Sequence, residues 1–333
     1  MPSHTSSEDS SVSFHGWATT GTSELKQWSY HPRPLAPNDV EIEITHCGIC
    51  GTDVHTMTGG WGPLQYGPCI PGHEIIGKVV AKGAQNKLEI GDVVGVGAMC
   101  DACGNCDQCD QGRDQLCSKR AYTYNDIYRD ERGGKTYGGY ADRVRANGEY
   151  VFKIPPQISA AEAALLCAGV TTFAPLRRFG AGPGKRVGVI GIGGLGHLAI
   201  QWARAMDCDE VVAMSSSGNK REEAKKLGAT KFVNDDKNQD WGKLLSLVRP
   251  RGTVVILAVP EAPLPIPAYE LLSHEVSLAG SAIGSADAVR EMLQFAADKN
   301  VRPWIERMSM DDPNAAIKHL MEGRPRYRIV MVQ

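Results

Sequence analysis

The chain has 333 residues, and a prior of about 150 residues per domain predicts two domains. Its 42% hydrophobic and 22% charged content is ordinary for a globular protein with sizeable cores. A net charge of −2 gives no electrostatic basis for binding nucleic acid or anionic membranes, and no apolar run reaches the roughly 18 residues that a membrane span needs.

The start, MPSHTSSEDSSVS, has neither a basic segment nor an apolar run, so residues 1–12 read as a disordered tail and not as a signal peptide. The expected setting is therefore the reducing cytoplasm, where the ten cysteines bind metal or remain thiols. The first half reads as β-rich. DVEIEIT (39–45) alternates as a strand should, GKVVAKG and DVVGVGAM suggest two more, and Gly and Pro punctuate the rest.

Ligand-type residues fall in Cys47-Gly-Ile-Cys50-Gly-Thr52-Asp53-Val-His55 and Gly72-His73-Glu74. Taken alone, the Cys-x2-Cys pair is ambiguous between zinc and redox chemistry. A far stronger signal is Cys103-x2-Cys106-x2-Cys109-x7-Cys117. Four thiolates so closely spaced can converge on one point, which suits a closed tetrahedral zinc site that leaves no position for substrate. A disulfide cluster and an iron–sulfur cluster are the rival readings.

After about residue 155 the pattern turns to alternating β and α. A helical stretch covers 159–179 and contains Cys167, which by itself reads as a small core residue. The strand KRVGVIG leads into Gly191-Ile192-Gly193-Gly194-Leu195-Gly196 and the helix LGHLAIQWARAM. A G-x-G-x-x-G run between strand and helix is the setting of a dinucleotide site. Gly191 makes the turn, Gly193 admits a pyrophosphate, Gly196 allows close helix packing, and Gly194 and Leu195 complete the loop at the helix N-terminus. The next strand, EVVAMS, ends in Ser215-Ser216-Ser217, followed by Lys220 and Arg221. An NAD site would place an acidic residue there. Small hydroxyls and two cations suit the 2′-phosphate of NADP(H) instead, unless Lys220 and Arg221 merely open a solvated helix.

The strand KFVN (231–234) is followed by only 234–251 before the strand GTVVILAVP, room for one short helix, WGKLLSLVR. The last helix, SADAVREMLQFAADK, leads into an extended segment expected to return to the first domain.

GICGTDVH, PGHEIIG, the four-cysteine ladder, GGYADRV, LLCAGVTTFAPL and GIGGLGHLAIQ together resemble the zinc-dependent medium-chain alcohol dehydrogenases, in their cinnamyl-alcohol-dehydrogenase-like branch. The likeness runs from about Trp17 to Val332. It implies an α/β protein: a GroES-like β-barrel catalytic domain (1–155 with 285–333) and a Rossmann-like doubly wound parallel sheet (156–284), with the active site in the cleft between them. It also implies two zinc ions per chain. The catalytic one falls on Cys50, His73 and Cys167, with Glu74 able to take the fourth position, and the structural one on Cys103, Cys106, Cys109 and Cys117. Cys47 is then a buried thiol, and Asp53 a carboxylate that orients His73. Thr52 and His55 match a proton relay, against the plainer readings of a turn residue and a surface histidine.

The activity implied is hydride transfer between NADPH and a medium-sized aromatic or aliphatic aldehyde, with a small-molecule partner only and a homodimer formed through 274–284. Trp61, Tyr122 and Tyr124 lie in the region of the substrate pocket, or simply pack. The shortened 234–251 segment departs from the family, because a helix–strand unit is missing beside the central strand. Either strand 253–259 slides into that position, giving a five-stranded sheet with a working site, or the chain folds poorly, or it keeps its zinc domain while binding NADPH weakly; an active enzyme is the preferred expectation. The alternatives are a zinc-binding member with impaired catalysis and an NAD-dependent polyol or formaldehyde dehydrogenase.

Overall fold

A computed structural model describes residues 12–234, 241–260 and 262–333. The chain forms two compact units. The first runs to Leu166 and resumes at Ile305, and the second is Cys167–Trp304. Both divisions fall later in the chain than 155 and 285. Helices Ala168–Arg178 and Ala286–Lys299 pack on each other within the second unit, through Phe173, Trp202 and Phe295 with ring centroids 5.4 to 6.1 Å apart. Among the described residues no helix is long and apolar enough to cross a membrane.

The spine of the first unit is the strand Asp39–Gly48. Its alternating Val40, Ile42 and Ile44 are buried, as the sequence period requires. It pairs antiparallel with Ile75–Lys82, Arg143–Asn147 and Arg328–Val332. Val93–Val96, Val151–Lys153 and Ile305–Ser309 extend the sheet to seven strands. Ile75, Val79, Val94, Val96, Ile329 and Met331 fill the core around that spine, each contributing about 1.5–3 kcal/mol by burial. Glu41, also buried, is neutralised by Arg143 at 3.0 Å and Arg145 at 2.8 Å. The segment that follows the spine is therefore anchored: Ile49 donates its amide to the Ile329 carbonyl, and Cys50 comes next.

In the second unit, Arg186–Ile190, Glu210–Ser215 and Lys231–Asn234 form a parallel three-stranded sheet. Helices Gly196–Ala205 and Arg221–Lys226 connect them. The expected five-stranded sheet does not form. Thr253–Ile256 pairs in parallel with Ser277–Gly280 only, as a separate two-stranded sheet among the described residues. Among its described residues the connection between Lys231–Asn234 and Thr253–Ile256 holds one helix, Trp241–Ser246, and so short a connection leaves too little chain for a further helix and the strand that would join the two sheets. Arg186–Ile190, the central strand of such a sheet, is accordingly exposed at Arg186, Gly188 and Ile190.

One expected helix is broken. Residues 159–179 form Ala160–Ala163 and Ala168–Arg178, with a non-helical turn between them that ends at Cys167, the N-cap of the second helix. Leu165 and Leu166 in that turn are fully buried, so packing overrides their helical propensity.

Candidate active site and metal centres

The ligand atoms of Cys50, His73 and Cys167 lie within 4.8 Å of one another, and all three residues are buried. Cys50 caps the helix Gly51–Thr58, and Asp53 at its third position closes a capping box by accepting the Cys50 amide at 2.8 Å. His73 stands in the loop before Ile75–Lys82. Gly72, just before it, has φ +98°, and a Cβ there would come 2.6 Å from the Tyr140 ring and 2.8 Å from Cys47 Sγ. Only glycine lets the loop turn at this spot and deliver His73 inward. Cys167 arrives from the break described above.

His73 Nδ1 lies 3.3 Å from Asp53 Oδ1, whereas Nε2 is buried and has no hydrogen-bond partner. A buried polar atom left unmatched costs about 1–3 kcal/mol, and this one belongs to the trio. Burial disfavours charge on His73, but the Asp53 carboxylate outweighs it and raises the imidazole's proton affinity above the ordinary range. Two thiols and one imidazole nitrogen, with the other ring nitrogen on a carboxylate, are a donor set that fits zinc. Cys47 is fully buried and outside the group, and burial raises its thiol pKa.

Other expected residues fall as follows. Glu74 is not in the trio: its buried carboxylate is ion-paired with Arg328, itself 4% exposed. The Thr52 hydroxyl is 3.6 Å from Cys50 Sγ. His55 stacks on Trp61 with centroids 4.6 Å apart. Trp61 and Tyr122 are exposed, but Tyr124 is buried and donates its hydroxyl to Asp53. Tyr124 thus belongs behind the site and not in a substrate pocket. Arg328 and Tyr140 escaped the sequence reading, and their only signals were a cation in an apolar strand and an aromatic after two glycines.

The ladder converges as its spacing demands. Sγ–Sγ distances are 3.5 Å for Cys117–Cys103, 3.6 Å for Cys106–Cys109 and 3.9 Å for Cys103–Cys109. All four sulfurs lie within 4.8 Å of one another. The Cys109 amide holds the Cys106 thiol pKa below its ordinary value, and Lys119 donates its amide to Cys117 Sγ. The first of these contacts favours a thiolate at Cys106.

At the glycine turn, Gly191 has φ +85°, and a Cβ on Gly196 would collide with its carbonyl oxygen. A Cβ on Gly193 would meet nothing within 4 Å, which leaves the backbone open to a pyrophosphate. His197 Nδ1 donates to Gly193 O at 3.0 Å while Nε2 accepts the Trp304 amide, so this buried histidine braces the turn. Lys220 Nζ reaches the Ile192 carbonyl at 2.6 Å, and the Arg221 guanidinium lies over the Phe232 ring. Ser215 Oγ accepts the Ser217 amide, and Ser216 is exposed. The two cations therefore flank the turn and the neighbouring strand.

A converging four-cysteine group and a buried Cys₂His trio, together with a glycine turn opening a helix, are the features of a zinc-binding oxidoreductase fold. Comparison with known families agrees. Residues 36–156 match the alcohol dehydrogenase GroES-like domain, and residues 194–246 match the zinc-binding dehydrogenase domain. An NADP-dependent alcohol dehydrogenase of Mycolicibacterium smegmatis is 40% identical, with 94% of this chain and 96% of that protein covered. An aldehyde reductase of Escherichia coli is 40% identical over 90% of this chain and 92% of its own. A cinnamyl alcohol dehydrogenase structure from Sorghum bicolor superposes with a TM-score of 0.91 at 34% identity, covering 96% of this chain and 98% of that one. The chain belongs to the zinc-dependent medium-chain alcohol dehydrogenases, in their cinnamyl-alcohol-dehydrogenase-like branch. The M. smegmatis alignment spans 338 positions while using 94% of 333 residues, about 313, so about 25 of its positions face gaps in this chain.

Proposed function

We propose that the chain reduces medium-sized aromatic or aliphatic aldehydes with NADPH, using a metal at Cys50, His73 and Cys167. The observation that carries this reading is the buried trio, one member of which, His73, has an unmatched buried Nε2. Zinc bound there supplies a Lewis acid for the substrate oxygen, and NADPH supplies the hydride. The chain's own residues do the rest. Asp53 holds the His73 ring, the Gly191–Gly196 turn cradles the diphosphate, and Ser215, Ser216, Lys220 and Arg221 receive the 2′-phosphate. Thr52 sits one helical turn before His55 and begins a hydroxyl-to-imidazole route for the proton, ending at a partly exposed ring. A second zinc on Cys103, Cys106, Cys109 and Cys117 is closed and structural. A homodimer through 274–284 and a cytoplasmic location complete the proposal.

Rates of NADPH and NADH consumption over an aldehyde panel test it. We expect at least about tenfold preference for NADPH, since two cations replace the usual acid; a tenfold preference for NADH would reject the 2′-phosphate site. The divided sheet favours one second reading, a zinc-binding family member with impaired catalysis. Tryptophan quenching on NADPH titration separates them: saturable binding supports the reductase, and its absence supports the second reading.

A further inference from the structure

Asp53 is fully buried, and a buried carboxylate keeps its charge only when its lone pairs are met. Four donors meet them. Oδ1 accepts the Tyr124 hydroxyl at 2.6 Å and the Gly72 amide at 3.1 Å. Oδ2 accepts the Cys50 amide at 2.8 Å and the Tyr140 hydroxyl at 2.9 Å. Tyr124 has a second contact that Tyr140 lacks, because its oxygen is also 3.2 Å from His73 Nδ1.

A phenol has one proton, and the shorter contact shows that Tyr124 gives it to Asp53. What Tyr124 turns toward His73 is therefore a lone pair. Nδ1 then faces two acceptors, the Tyr124 oxygen and Asp53 Oδ1, and must itself carry a proton. With Nδ1 committed, Nε2 is the only ring nitrogen that can bind a metal, and it is the one without a partner. Were the Tyr124 proton on His73 instead, Asp53 would lose its shortest hydrogen bond and Nδ1 would have no hydrogen to give.

We propose that Tyr124 is a positioning residue for the metal centre: it fixes which nitrogen of His73 faces the metal and holds the ring against Asp53, while Tyr140 only steadies the carboxylate. This rests on the metal site of the proposed function and says nothing about substrate or cofactor.

The test compares Tyr124→Phe and Tyr140→Phe by zinc content and by competition with a chromophoric chelator. Tyr124→Phe should weaken one of the two zinc ions by about 10–100-fold, the usual effect of losing a partner behind a ligand. Tyr140→Phe should change it by less than about threefold, because it leaves the His73 contact intact. Zinc on the four-cysteine ladder stays put in both and reports that the fold is retained. Equal weakening in both variants, or none in Tyr124→Phe, overturns the proposal. Should Tyr124→Phe fail to fold, nitrogen NMR of the zinc-loaded wild type decides. A slowly exchanging Nδ1 proton on His73 near the Tyr124 ring supports the assignment, and an Nε2 proton contradicts it. Loss of NADPH binding with these zinc results unchanged would sink the reductase and leave this inference standing.

Discussion

Gly196 has room for nothing larger than hydrogen, because a methyl group there would strike the Gly191 carbonyl. Gly196→Ala must therefore open the turn that Gly191 makes at φ +85°. NADPH affinity, followed by fluorescence, should fall at least about tenfold, with overpacking strain of about 1–3 kcal/mol. Both zinc ions should stay bound; unchanged NADPH affinity would remove the turn from the cofactor site. Residues of this kind were legible in the sequence because their chemistry is local: the glycines, Cys50 beside Thr52 and Asp53, and the ladder each sit within a few residues of their partners. Arg328 and Tyr124 were not. Arg328 pairs with Glu74 across 254 positions, and Tyr124 meets Asp53 across 71. No pattern in one sequence encodes such a pairing. The sequence leaves Tyr124 between a pocket residue and a packing residue for that reason, since an aromatic beside a metal motif looks the same whether it faces substrate or backs a carboxylate.

Element by element, regular strands came through and the exceptions came from packing. DVEIEIT alternates because one face carries the apolar core residues and the other carries acids, of which Glu43 is exposed while Asp39 and Glu41 are buried against arginines. Residues 159–179 read as one helix because Ala and Leu favour it, yet burial of Leu165 and Leu166 breaks the helix and brings Cys167 to its place. The short 234–251 connection announced the loss of a strand but not its consequence. Closing the gap would have required the remaining strand pair to shift as a body, and Thr253–Ile256 stays with Ser277–Gly280. Arg186–Ile190 is left with one partner strand among the described residues. Gly191 donates its amide to Met214, so by the two-residue period of a strand the Gly188 and Ile190 amides point to the open side. Amide exchange should find Gly188 and Ile190 weakly protected and Val189 and Gly191 strongly protected. Strong protection at Gly188 and Ile190 would mean that another strand covers that edge.

For the whole molecule, the chain leaves the first unit at Leu166 and re-enters at Ile305, and its two candidate metal groups are proposed to have different duties. The ladder ties residues 103–117 together where few regular elements do so, so stripping metal with a chelator should lower the first unit's melting temperature. Calorimetry that shows no shift would deny the ladder a structural metal. On the proposed function, the Cys50, His73 and Cys167 group would instead carry the chemistry. The most direct measurement is NADPH consumption with an aromatic aldehyde by wild type and Cys50→Ser in parallel, each with its zinc content. Loss of a Lewis acid worth several kcal/mol predicts a fall of about a thousandfold, with about one zinc in place of two and an unchanged circular dichroism spectrum. Equal rates in the two proteins would contradict the proposal that this trio is the catalytic centre.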